Sequence, residues 1–586
     1  MTEPTGIQFS DRNYWMVFRI ILVLAVALRL MHGIYLTVSP EGEFIKHYPN
    51  SDLGLTWTWS ERILSGDVLS QTPFFSHDFQ KGTPIGWYSA GGDRSILRKP
   101  PLYAYSWAAY RFWFGNDPSL FLYGQLILSL LHALLIWSIA TSMFGRAVGL
   151  VSFAIAAVYG PDIFQAGVPT RDYLAIVLGT SVVYCLGRAE QRHGAAWWAT
   201  GGVMLGLALL TRESYLLFAL LIAAWIAAGC RGAQATAYRR GAAMFGVALA
   251  MTLSPLIVRN AIVGAPLLSS SSTFALTYIG ANAPDSSPVG LDYYLSTSNA
   301  IFSRTDGSKL SIIVETFRAY QGDWWELMKR YAVKLAAIFA DFEPYDNRNF
   351  YYTQQASPAV GLGLSYGLVI ALALPALWGG VRRWKRHFLL LSLLATTLAM
   401  LLLVNVVGRY RLSLFPVLVI FAGVTVVHLG MLIREKRWRR VAVLATTVIV
   451  LGLVSYTIRL PNPRHRKVEY DLAYMVYVND RQDYANAAHE LETAFKMLRR
   501  DPVSWELARP FVARRRLDLA RLYAIQLNRV DDAIDQLKLA IDESPSDPVP
   551  EQMLTTLYAN FTIEPEKAAH HLAQATRKRR ALRENR

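Results

Sequence analysis

The chain has 586 residues, 53% of them hydrophobic and only 17% charged, a balance that excludes an ordinary soluble protein. Its formal charge of +16 lies largely in short loops between apolar runs, where basic residues set membrane orientation, so it is no sign of nucleic-acid binding. The two cysteines, Cys185 and Cys230, fall in or beside apolar runs and have no metal-ligand spacing, which argues against a structural disulfide or a cysteine metal site.

The apolar runs are roughly 15–22 residues long, the length a helix needs to cross a hydrocarbon core. Met1 to Asn13 is polar and has no cleavage-site pattern, so the first run is expected to be a retained span. Eleven spans follow from the pattern, at 14–36, 119–140, 147–164, 172–188, 196–211, 214–230, 241–261, 359–379, 388–407, 412–432 and 440–458. Alternate loops carry Arg146, Arg188, Arg192, Arg231, Arg239, Arg240, Arg382 to Arg386 and Arg434 to Arg440, which marks them as cytoplasmic. Loops 37–118 and 262–358 then fall outside, together with the tail. If 196–211 and 214–230 formed one span, the tail would move to the cytoplasm.

In the first loop, Asp52 opens a helix-compatible stretch that ends near Gly66, among Trp57, Trp59, Trp87, Tyr103 and Tyr105. Ser51 or Asp52 could cap that helix, and Asp52 could equally serve as a general base. Further on, Lys99-Pro100-Pro101 precedes an aromatic, amphipathic segment, Leu102 to Phe114, expected to be an interfacial helix. Lys99 is either an interface lysine or a compact charge placed for a phosphate. Arg29, His32, Asp162, Arg171, Asp172, Arg212, Glu213, Arg259, Arg409 and Arg411 lie near the same face. Singly, such arginines reach for lipid phosphates; as a set mixed with acids they suit a cavity.

From about residue 463 the composition becomes charged and helical. Leu519-Ala520-x-x-Tyr523 and Ala533-Ile534-x-x-Leu537-x-x-Ala540, followed by Tyr558, Ala568-Ala569, Leu572 and Ala575, match tetratricopeptide repeats, with a weaker copy at Ala487-Ala488, Leu491 and Ala494. Such an array binds a peptide or protein on its concave face.

The order of motifs resembles the GT-C type glycosyltransferases that use polyprenyl-phosphate sugars, a group that includes protein O-mannosyltransferases and lipid A aminoarabinose transferases. The resemblance rests on Asp52 to Gly66, Lys99-Pro100-Pro101-Leu102-Tyr103, Leu210-Thr211-Arg212, Val258-Arg259-Asn260 with Gly264 and Gly280-Ala281-Asn282. Lys334 to Phe342 with Glu343 and Asn347, and Gly408-Arg409-Tyr410-Arg411 with Pro416, complete it. It covers about residues 14–430. One departure is the acid at the start of the fourth span, which here is Asp172, shifted by a position.

The resemblance implies an all-α polytopic membrane protein of GT-C fold for the module at 1–460; the repeat pattern gives a helical domain at 461–586, and the loop charges place the tail outside, expected to be the periplasmic side of a bacterial inner membrane. The donor would be a polyprenyl-phosphate sugar drawn from the membrane lipid, the acceptor an extracytoplasmic hydroxyl on a protein, lipid or glycan. Asp52 would take the hydroxyl proton during inverting attack, and Lys99, with Arg212, Arg259 or Arg409, would stabilise the departing phosphate. Asp162 and Asp172 are candidates for the acceptor or for a metal. Some family members use a divalent cation, Mg or Mn, but the sequence shows no dedicated ligand cluster. Two other readings stay open: a non-enzymatic membrane scaffold for the repeats, and a lipid-linked sugar transporter.

Overall fold

A computed structural model describes residues 10–48, 51–71, 97–192, 194–232, 235–290, 300–301, 304–305, 308–344, 346–458, 460, 468–499 and 502–584. Regular structure among these is all helical, apart from two isolated bridges, Tyr159 with Leu364 and Val289 with Val406. The chain forms two compact units: Met1–Val38 with Tyr48–Leu460, and Ser39–His47 with Pro461–Arg586. The second unit therefore takes nine residues from the start of the first loop, a departure from a simple division at 460.

The first unit opens with α1 (Asp11–Val38), then α2 (Asp52–Leu64) and α3 (Leu102–Phe114) in the first loop. Next come α4 (Ser119–Phe144), α5 (Arg146–Ala157), α6 (Gly160–Ala166), α7 (Arg171–Arg192), α8 (Ala195–Thr211), α9 (Tyr215–Gly229) and α10 (Ala235–Val263). The second large loop holds α11 (Phe274–Asn282), α12 (Lys309–Arg318), α13 (Trp324–Phe339) and α14 (Phe350–Ala356). The unit closes with α15 (Tyr366–Arg382), α16 (Phe388–Leu403), a single turn Gly408–Arg411, α17 (Phe415–Arg434) and α18 (Trp438–Thr457).

Among the described residues six helices are long and apolar enough to cross a membrane: α1, α4, α7, α10, the stretch Gly408–Arg434 and α18. Five shorter apolar helices, α5, α8, α9, α15 and α16, lie at the other expected spans. The core is centred on α17, where Phe415 to Gly423 are all buried. Small residues let neighbouring helices approach. A Cβ on Gly202 of α8 would meet the Phe245 carbonyl of α10 at 2.3 Å, so this contact needs glycine in the way membrane helix interfaces commonly do.

Two expected spans are corrected. The run 147–164 is not one helix: α5 stops at Ala157, and Gly160-Pro161 starts α6, because proline lacks the N–H a continuous helix would need and suits a helix start. The run 359–379 is likewise broken, with α15 starting only at Tyr366, where Ser365 caps it by accepting from the Leu368 N–H. The two breaks satisfy each other. Leu364 N–H donates to Val158 O at 2.8 Å and Gly160 N–H to Leu364 O at 3.3 Å. Open backbone at membrane depth needs such partners. The approach is so close that a Cβ on Gly363 would lie 2.5 Å from Gly160 Cα.

The second unit is built from three helix hairpins: α19 (Val468–Met475) with α20 (Tyr484–Leu498), α21 (Pro502–Arg521) with α22 (Val530–Glu543), and α23 (Val549–Asn560) with α24 (Pro565–Glu584). Each has the same turn. Gln482, Asn528 and Ile563 take positive φ. The N–H of the next residue returns to a tyrosine carbonyl, Asp483 to Tyr477, Arg529 to Tyr523 and Glu564 to Tyr558, at 2.7 to 2.8 Å. Ala487, Ala533 and Ala568 occupy the same place after each turn, and all are buried. Within this unit Asp480 pairs with Lys46 at 3.0 Å and His47 at 2.7 Å.

Candidate active site

Helix direction collects the polar residues at one face of the first unit. Helix α7 begins there with Arg171-Asp172, α8 ends there at Thr211 before Arg212, and the turn that carries Arg409 lies there too. The first and second loops supply the rest. Ser51 caps α2 by accepting from the Gly54 N–H at 3.1 Å, so Asp52 is not the cap and its carboxylate is left for other partners. The backbone just before Lys99 is held by Ser271 and Ser272. Ser271 Oγ donates to Arg98 O at 3.0 Å and Ser272 N–H to Leu97 O at 2.8 Å. Pro100 and Pro101 then lead directly into α3.

The ammonium of Lys99 makes a short charge-assisted bond to Asp52 Oδ1. The other oxygen, Oδ2, accepts from Arg409 Nη1 at 3.0 Å and from Asn347 Nδ2 at 3.5 Å. Arg409 gathers two more carboxylates through Nε, Asp346 at 2.7 Å and Asp172 at 3.4 Å. Asp172 is also paired with Arg212 at 2.6 Å, and that guanidinium lies over the Tyr410 ring at 4.1 Å. Asp52, Thr56, Arg98, Lys99, Arg171, Asp172, Thr273, Thr277, Arg409 and Tyr410 line one cavity. Arg171 is the residue with charge to spare: its Nη1 is buried, and it makes no hydrogen bond or ion pair among the described residues.

The charges tune one another. Burial alone would raise the Asp52 carboxyl, but Lys99, Arg409 and Arg98 outweigh it and hold the group well below the usual carboxylate range. Lys99 is pushed down to about 8 by burial, with Arg171 and Arg98 adding to the effect and Asp52 opposing it. The Asp346 carboxyl is raised to about 6 by burial, with Asp52 and Asp172 acting in the same direction against Arg409.

The structure thus brings together Asp52, Lys99, Asp172, Arg212 and Arg409. Two expected members are elsewhere. Arg259 donates to the Leu69 and Ser70 carbonyls at 2.9 and 3.2 Å and to Asn260 at 2.9 Å, so it fixes the end of the α2 segment and does not reach the cavity. Asp162 lies in a separate buried cluster, where it accepts from Arg29 at 3.0 Å, Ser129 at 2.9 Å and Tyr173 at 2.7 Å. These partners all lie inside that cluster, apart from the cavity at Asp52. Trp87 falls outside the described residues. Sequence reasoning missed Asp346 and gave no role to Arg171. The acid between Glu343 and Asn347 was the available signal for the first, and its position at the start of α7 for the second.

The three carboxylates are arranged around the Arg409 guanidinium, and no described group of three His, Cys, Asp or Glu side chains has the geometry to hold a metal ion. In this geometry the Arg409 guanidinium neutralises them.

Residues 98–258, which contain Lys99, Arg171, Asp172 and Arg212, match the family model described as dolichyl-phosphate-mannose-protein mannosyltransferase. The match is to a class of membrane glycosyltransferase, and it supports the GT-C resemblance carried by the motifs. A sequence comparison with curated proteins finds no match. Among solved structures, the chain is similar to the oligosaccharyltransferase of Archaeoglobus fulgidus in its apo form, at 15% identity and a TM-score of 0.43, over 81% of this chain and 60% of that one. It is also similar to the oligosaccharyltransferase AglB of Archaeoglobus fulgidus in complex with an inhibitory peptide and a dolichol-phosphate, at 14% identity and a TM-score of 0.39. That match covers 79% of this chain and 59% of the other. The chain therefore spans about three fifths of the length of these structures.

Proposed function

We propose that the first unit transfers a sugar from a polyprenyl-phosphate donor to an acceptor hydroxyl outside the cytoplasm, with inversion at the anomeric carbon. The observation that carries this reading is one cavity that holds an ionised Asp52, the Lys99 bound to it and an Arg171 with no ion pair among the described residues. A donor phosphate competes with Asp52 for Lys99 and meets Arg171 at the same time. As Lys99 turns to the phosphate, Asp52 Oδ1 is released and its basicity rises. The acceptor oxygen then bonds to the anomeric carbon opposite the phosphate, its proton passes to Asp52, and the glycosyl–phosphate bond breaks with its electron pair on the leaving phosphate. Arg409 keeps Asp52, Asp172 and Asp346 in register, and Arg212 acts through Asp172.

The repeat unit is proposed to recruit a protein or peptide partner, since stacked helix hairpins present an extended face for one. An outer placement of that unit is proposed from the Lys/Arg bias of the alternate loops. The test is incubation of purified protein with a panel of polyprenyl-phosphate sugars and an envelope extract, with mass spectrometry of donor and acceptor. Release of polyprenyl phosphate together with a sugar-shifted acceptor is expected. A panel left wholly unconsumed would overturn the enzyme reading and favour a scaffold, whereas donor moved between leaflets without cleavage would point to a transporter.

A further inference from the structure

The far end of α7 carries a second cavity. A helix rises about 1.5 Å per residue, so the sixteen residues from Asp172 to Arg188 span about 24 Å, close to the thickness of a hydrocarbon core. This cavity, of about 220 Å³, lies between the ends of α4, α7 and α9 and the start of α16. Ile139, Trp225 and Phe388 give it an apolar wall, and Arg188, Lys385, Arg386 and Glu190 give it charge. Glu190 is engaged by the Tyr238 hydroxyl at 3.1 Å. Arg188 gives one hydrogen bond, to Ser138 Oγ at 3.3 Å, and lies over the Tyr184 ring at 5.3 Å; Lys385 lies over the Trp384 ring at 5.9 Å. Neither Arg188 nor Lys385 has a carboxylate partner among the described residues.

We infer that this cavity binds the phosphate headgroup of a lipid at the membrane face opposite Asp52, with the chain along the wall formed by Trp225, Ile139 and Phe388. Three features of the site favour such a group. A half-buried guanidinium without an acid has an unmet demand for an anion. Lys385 adds a second positive charge at the rim, and the start of α16, whose first residues line the cavity, presents backbone N–H groups. The apolar wall suits a chain-bearing ligand better than a free anion, and basic pockets between membrane helices bind anionic headgroups in this way. The inference does not depend on glycosyl transfer. The phosphate lipid could be a bulk anionic phospholipid or a polyprenyl phosphate.

The test is native mass spectrometry of the full chain with phosphatidylglycerol, phosphatidylcholine or polyprenyl phosphate added. Retention of phosphatidylglycerol is expected to fall roughly tenfold in Arg188→Ala with Lys385→Gln, as losing a charge-assisted bond implies. Phosphatidylcholine adducts should stay unchanged. Polyprenyl phosphate is measured in a Lys99→Ala background, so that the first-loop cavity is not counted. A selective loss there identifies polyprenyl phosphate as the occupant, and a loss confined to phosphatidylglycerol identifies bulk lipid. Lys385→Gln, on an exposed side chain, decides alone if the double variant does not fold. Wild-type occupancy of both phosphate lipids in the variants, or an equal loss of phosphatidylcholine, would overturn the inference.

Discussion

Two of the buried ion clusters described in the first unit, around Asp162 and around Arg409, differ in what remains unsatisfied. Around Asp162 the charged groups are paired inside the protein: Arg29 donates to Asp162, Ser129 and the Ala156 and Ala157 carbonyls, while Ser129 and Tyr173 donate to the same acid. Around Arg409 three carboxylates converge, Lys99 is held below its ordinary basicity, and Arg171, beside the cavity, has no hydrogen bond or ion pair among the described residues. Burying charge at membrane depth is costly in both places. Only the second cluster keeps charge available to a ligand. Burial of ionisable groups does not by itself make a site; surplus charge beside a cavity does.

The largest expected effect comes from Arg409→Ala. It leaves Asp52, Asp172 and Asp346 without their shared cation, which should cost about 3–5 kcal/mol of stability and abolish transfer. Thermal melting in detergent and donor turnover would read both. At the other cluster, Arg29→Leu should lower stability by a similar amount. There the folded fraction should keep its full turnover, and pairing the change with Asp162→Leu should restore most of the melting temperature. Loss of turnover per folded molecule in Arg29→Leu would erase the distinction between the clusters.

Smaller effects separate the roles within the site. Lys99→Ala or Arg171→Ala should weaken donor binding by roughly 10- to 100-fold, as loss of one charge-assisted contact implies, with stability little changed. Equilibrium binding of a non-transferable donor analogue would measure it. The pH profile has a definite sign: Lys99 is charged below about 8 and neutral above it, so kcat/KM should fall as pH rises through about 8. Lys99→Arg should move that fall upward, because a guanidinium stays charged. The smallest effect is expected from Asp346→Asn. Because the native carboxyl titrates at about 6, variant and wild type should converge at pH 5 and differ at pH 7.

Local pattern accounted for much of this architecture. The expected segment Leu102 to Phe114 is α3 residue for residue, and the apolar runs fall on helices because periodicity and length are written along the chain. The two helix breaks were missed because each is satisfied by the other, about 200 residues away, though Pro161 marked the first. Site membership was legible where a residue stands at a helix end, as Asp52, Lys99, Asp172 and Arg212 do. It failed where long-range pairing decides: Arg259 is taken by the Leu69 and Ser70 carbonyls, and Asp162 by Arg29. Asp346 lies in an irregular loop with no periodicity, and only its pairing with Arg409 shows its place.

The central claim is that Asp52 takes the acceptor proton and does not merely balance Lys99 and Arg409. The most direct measurement is single-turnover release of polyprenyl phosphate by wild type and Asp52→Asn with saturating donor and acceptor. A general-base role predicts a rate lowered roughly 10²- to 10⁴-fold with donor affinity kept or raised, since Lys99 is then free for the phosphate. An Asp52→Asn enzyme that releases polyprenyl phosphate at the wild-type rate would contradict the account.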